Sequence, residues 1–177
     1  LMLNAHGQVA IREEWLALHR EDALDPALPI IDPHHHLWDR PGERYLLPDL
    51  LADTATGHAI RATIFVQCGA MYRQEGPEAE RSLGETEFAA AVAQAAAGGA
   101  TRACAGIVGY VDLTLGDAVE PLLERHRAIA GGRLVGIRNR TAWHPSPLVR
   151  SNLVSPPPGP LEDPRFMDGA RRLAEAG

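Results

Sequence analysis

The chain has 177 residues, enough for one domain with a sizeable core. Charged residues make up 23% of it and the net charge is −6 with no basic stripe, which excludes nucleic acid as the main partner and leaves an anionic small molecule open. No apolar run reaches the ~18–20 residues of a membrane span, so no membrane partner is expected.

Residues 1–10 carry no pattern. Ile11, Trp15 and Leu18 recur at helical spacing and predict a short amphipathic helix over 11–21, capping one end of the fold. Residues 1–28 therefore read as an extension, and 29–177 as the domain proper. Pro29 leads into Ile30-Ile31-Asp32-Pro33-His34-His35-His36-Leu37-Trp38-Asp39, a β-branched start that suits a buried strand. Strict alternation puts Asp32, His34 and His36 on one face, with Ile31, Pro33 and His35 on the other. Two imidazoles at i and i+2 can grip one metal ion or polarise one substrate. A solvated histidine cluster or a tag is the plain alternative, but this cluster lies inside an apolar strand pattern. Pro41-Gly42 turns the chain away.

Leu46 to Leu51 reads as a short helical or irregular stretch. Residues 59–68 form a second apolar strand, with Gln67 at its end in a position to face a ligand. Residues 69–83 read as a loop, and Gly84-Glu85-Thr86-Glu87 opens a helix through Ala97 with acids favoured in its first turn. Ala103–Val111 is the third strand. Thr114–Ala130 is the next helix, with Val119, Leu122, Leu123 and Ile129 on one side. Leu134–Arg138 is the fourth strand. A long loop with His144-Pro145-Ser146-Pro147 and Pro156-Pro157-Pro158-Gly159-Pro160 follows. Asp163-Pro164 then caps a final helix with Phe166, Ala170 and Leu173 inward. Cys68 and Cys104 are too few for a disulfide framework, and predict buried thiols in a cytoplasmic protein.

Strand and helix alternate four times, which implies parallel strands with helical crossovers. No Gly-x-Gly-x-x-Gly follows the first strand, so a dinucleotide site has no support. Paired histidines at the carboxyl end of a strand favour a (β/α)8 TIM-barrel type fold, whose sites lie at that end. Only the first four βα units of the ~250 residues such a barrel needs are present, so the chain reads as the N-terminal part of a longer protein.

Asp-x-His-x-His in Ile31–Asp39 resembles the amidohydrolase superfamily. The longer Ile-Asp-Pro-His-His-His-Leu-Trp-Asp is similar to its amidohydrolase-related branch. That branch holds lactonases of sugar lactones and of 2-pyrone-4,6-dicarboxylate and, more distantly, metal-dependent decarboxylases. Gly84–Phe88, Gly106–Tyr110 and Val135–Arg138 carry the resemblance across the chain from Pro29 onward. It implies a hydrolase opening a small carboxylated or sugar lactone with activated water. Two readings stand beside it: a decarboxylase of an unsaturated or aromatic acid, and a non-enzymatic metal-binding protein. The resemblance assigns His34 and His36 as catalytic and metal ligands for a divalent ion, zinc by donor type, or as direct substrate contacts with no metal required. It places the remaining site residues on later strands, and the part present here is expected to be inactive alone.

Arg138, at the end of the fourth strand, is either a bidentate clamp for a substrate carboxylate or a salt-bridge partner. Arg140 is a weaker version of the same idea. Gln67 and Trp38 are candidate substrate contacts. Asp32 is expected beneath the rings, and Tyr72 and Asp112 in solvated loops. His58 falls at the opposite end, and His6, His19, His126 and His144 read as surface residues. Ser82, Ser146 and Ser151 lack a nucleophile elbow, so a Ser-His-Asp enzyme is unsupported.

Overall fold

A computed structural model describes residues 11–146, 148–149 and 156–177. His6, Ser151 and Pro147 lie outside the described residues. The sequence forms four parallel strands in sequence order: β1 (Pro29–His35), β4 (Ala59–Val66), β5 (Arg102–Gly109) and β6 (Leu134–Ile137). Between β1 and β4, a small hairpin pairs β2 (Trp38–Arg40) with β3 (Glu43–Tyr45) antiparallel. The alternation of strand and helix did not reveal this hairpin. Gly42 takes φ 78° after Pro41, the backbone that a tight turn demands and Pro-Gly supplies.

α2 (Leu47–Thr54), α3 (Leu83–Ala95) and α4 (Val119–Ala130) all bury residues in the same core as the sheet. On α3 the stripe is Ala89, Val92 and Ala93, and Ala96 continues it at the C-cap, a spacing of i, i+3, i+4 and i+7. It meets Phe65 of β4 and Ile107 of β5 in one cluster with Leu50 and Ala130. A second cluster joins Val111, Leu113, Val119, Leu122 and Leu123 to Phe166 of α5 (Pro164–Glu175). The Asp163 carboxylate accepts the Arg165 N–H at 2.9 Å, capping α5 as Asp-Pro predicts. The other sheet face is open: Ile31 and Val135 are 60% and 61% exposed. This is an α/β architecture with one helical layer, consistent with part of a barrel. Among the described residues no helix is long and apolar enough to cross a membrane.

Three expectations change. The helix expected over 11–21 is only α1 (Glu13–Leu16), and Trp15 and Leu18 are exposed, so it caps nothing. Its apolar residues are too few to hold a helix without a packing partner. The helix expected from Thr114 begins at Val119. Gly116 at φ 57° breaks the turn before it, and Pro121 then falls in the first turn, where its missing N–H needs no helical partner. His126 is fully buried rather than on the surface. Its Nδ1 bonds Thr86 Oγ1 at 2.8 Å, and its Nε2 lies 3.4 Å from Ser82 Oγ, joining α4 to the start of α3. His19 and His144 are exposed, as read, and His58 stands just before β4, at the end of the sheet opposite the strand carboxyl ends.

Gly169 shows how closely α5 is seated: a Cβ there would stand 2.0 Å from the Leu113 carbonyl oxygen. Gly169→Ala should cost about 1–3 kcal/mol and lower the melting temperature by roughly 3–10 °C, as read by thermal denaturation. Burial pushes His126 down to about 4 from its ordinary 6.5, so the unfolded chain protonates first as pH falls. The stability from this ring should be whole above pH 6.5 and decline between pH 6.5 and 4. Urea melts at pH 7 and pH 5 should differ by on the order of 2 kcal/mol from this residue. An NMR titration of the ring with a midpoint near 6.5 would contradict this.

Candidate metal and substrate site

The parallel strands bring their carboxyl ends to one edge of the sheet, and the candidate residues gather there. On β1 the register runs Asp32 to Thr63 and then His35 to Phe65, three steps against two. The extra residue is a bulge at Pro33 and His34. Thr63 and Phe65 share a face of β4, so Asp32 and His35 share it too. Asp32 is therefore not beneath the paired rings, as strict alternation had put it. Its carboxylate accepts the His34 backbone N–H at 3.0 Å, which pins the bulge. Ile31, paired with Ala62, lies on the open face with His34 rather than across from it.

His34 and His36 meet edge to face, with Nε2 atoms 3.3 Å apart. His36 Nδ1 donates to the Val66 carbonyl at 2.7 Å, which leaves the Nε2 lone pair facing His34. Burial lowers the pKa of His36, with His34, Arg138 and Arg140 adding to the effect against the Val66 bond. The ring is thus neutral and able to ligate at neutral pH. Two nitrogens held tetrahedrally at ~2.0–2.1 Å from one ion stand roughly 3.3–3.4 Å apart, so the pair fits a shared first-row metal. Among the described residues no third His, Cys, Asp or Glu joins them. His35 turns the other way, as read. Its Nε2 bonds Thr63 Oγ1 at 2.9 Å, it stacks edge-on to Phe65, and burial takes it down to about 4.

Trp38 flanks the pair, its ring centroid 5.7 Å from that of His36 and 4.7 Å from the Arg40 guanidinium carbon. Arg138 Nη1 donates to the Gln67 carbonyl at 2.8 Å, so among the described residues its partner is a carbonyl and not a carboxylate. Arg140 Nη2 reaches the Cys68 carbonyl at 3.5 Å. Gln67 serves this edge through its main chain: its side chain is 6% exposed and donates to the Tyr72 hydroxyl at 2.9 Å. Tyr72 is half-buried rather than solvated, and burial raises its phenol pKa. Asp112 caps a turn, accepting Thr114 N–H at 2.9 Å. Burial pushes the Cys68 and Cys104 thiols up to about 12, so neither is a nucleophile at neutral pH.

Sequence reading missed Glu85. Taken there for a first-turn acid, it is 2% exposed and its Oε1 accepts the N–H groups of Cys68, Gly69 and Ala70, each at 2.9 Å. Burial raises its pKa, against the pull of those bonds. Gly84 beside it lets the helix start touch that loop, since a Cβ there would lie 2.5 Å from the Met71 carbonyl oxygen.

Zinc or cobalt titrated into the protein should be held weakly by His34 and His36. His34→Ala or His36→Ala should remove that binding, and His35→Ala should leave it. Calorimetry reads all three, and binding that survives the His34→Ala, His36→Ala double variant would disprove the pair.

Comparison with curated proteins and with solved structures gave no match. A protein-family model, Amidohydrolase, matches residues 31–177. That span begins at the first strand and takes in the histidine pair and both arginines, and the chain belongs to the amidohydrolase family.

Proposed function

We propose that the chain forms the first half of the active site of a lactonase, in which water opens a small carboxylated or sugar lactone. Family membership supports a hydrolase of this superfamily. The observation that carries the finer reading is the convergence of two imidazole nitrogens 3.3 Å apart with the Arg138 guanidinium, which shares the strand end that holds His36. His34 and His36 would hold a divalent ion, zinc by donor type. Such an ion, when bound, supplies Lewis-acid polarisation of the lactone carbonyl. Arg138 offers charge-assisted hydrogen bonds to a ring carboxylate and orients the ester toward the histidines. Trp38 gives a flat apolar wall beside them. Gln67 completes the strand end through its carbonyl, and its side chain donates to the Tyr72 hydroxyl.

The general base and the remaining ligands would come from strands that close a (β/α)8 barrel, since β1 and β6 each pair with one strand among the described residues. The four units alone would then be inactive, and the free thiols suit a reducing, cytoplasmic setting.

The complete protein, assayed on paired carboxylated and methyl-esterified lactones with and without chelator, tests this. Ring opening should favour the carboxylated member. Arg138→Met should raise KM for it by the equivalent of roughly 2–5 kcal/mol while leaving the ester nearly unaffected. Equal kinetics on both members would exclude the clamp. Release of carbon dioxide in place of ring opening would make the protein a decarboxylase.

A further inference from the structure

Three successive carbonyls at the end of β4 each accept a bond from a site residue. Val66 takes His36, Gln67 takes Arg138 and Cys68 takes Arg140. The N–H groups that follow, on Cys68, Gly69 and Ala70, all converge on Glu85 Oε1. The C=O and N–H of a trans peptide point in opposite directions. The 67–68 peptide is therefore held between Arg138 at its oxygen and Glu85 at its nitrogen. The 68–69 peptide is held the same way between Arg140 and Glu85. Each guanidinium is linked to the carboxylate through one peptide dipole, without touching it.

Glu85 is poorly placed for other work. Its Oε1 also receives the Cys68 thiol at 3.5 Å, and its Oε2 is buried with no hydrogen-bond partner among the described residues. Gly84 lets the first turn of α3 close on Met71 and Arg73, which keeps the carboxylate under the loop.

We propose that Glu85 is a positioning residue: through the 67–68 and 68–69 peptides it sets where Arg138 and Arg140 present their guanidinium groups, and so sets affinity for the anionic part of the substrate. This rests on the reading of Arg138 as a carboxylate clamp. Glu85→Gln keeps an oxygen for the three N–H groups and removes the charge. Glu85→Asp keeps the charge and shortens the reach.

The test uses the complete protein with a carboxylated lactone, its methyl ester and phenylglyoxal. In Glu85→Gln, KM for the carboxylated lactone should rise about tenfold, with a much smaller change for the ester and for kcat. In an Arg138→Met background the same change should add less than it does alone, because one of the two groups that it positions is gone. Equal losses on both lactones, or effects that multiply in the double variant, would overturn the proposal. Phenylglyoxal modification of Arg138, followed by mass spectrometry, reads the positioning without any substrate. It should be faster in Glu85→Gln, and an unchanged rate overturns the proposal. Faster modification in a protein that opens no lactone would keep Glu85 as a positioning residue and reject the lactonase reading. Should Glu85→Gln not fold, Glu85→Asp carries the same measurements. Failure of both to fold would make Glu85 a residue of the fold alone and overturn the proposal.

Discussion

The bond from His36 Nδ1 to the Val66 carbonyl ties the end of β1 to the end of β4, and the site depends on it. It fixes the tautomer of His36, turns its Nε2 toward His34 and sets the ring within the electrostatic reach of Arg138 and Arg140. Parallel pairing makes this possible, because all four strands finish at the same edge. Residues 30 to 72 positions apart in sequence thereby meet through hydrogen bonds at this edge.

Three consecutive histidines occupy three different environments. His34 is exposed, His36 is half-buried and His35 is sealed behind the sheet against Thr63 and Phe65. The bulge at Pro33 and His34 separates them, and the Asp32 carboxylate secures it from within the same strand. An extra residue there re-aims a ring at the rim of the sheet, where bulges commonly sit next to functional groups. His36 also lies near two guanidinium groups that depress its proton affinity. The same positive surroundings keep the lone pair free.

The loop after β4 connects this edge to the helical layer. Cys68 and Ala70 belong to the core with Ala89, Val92 and Ile107, while their N–H groups meet Glu85. Packing and polar satisfaction therefore act on the same short segment. Buried N–H groups need acceptors, and one carboxylate takes three of them.

The sequence by itself determined the four parallel strands, the helices between them, the Asp163-Pro164 cap and the pairing of His34 with His36. Each follows from local rules: alternation, helical spacing, cap chemistry and strand parity. The hairpin at Pro41-Gly42 was half legible, since the turn showed and the three-residue strands around it were too short for a pattern. Tertiary structure alone decided the rest. The bulge reversed the side of Asp32, because a single extra residue inverts parity and depends on the partner strand's register. His126 and Glu85 are polar residues that only their neighbours could bury: Thr86 and Ser82 for the imidazole, three backbone N–H groups for the carboxylate. A polar residue reads as exposed unless its partners are known, and those partners lie 15 to 44 positions away.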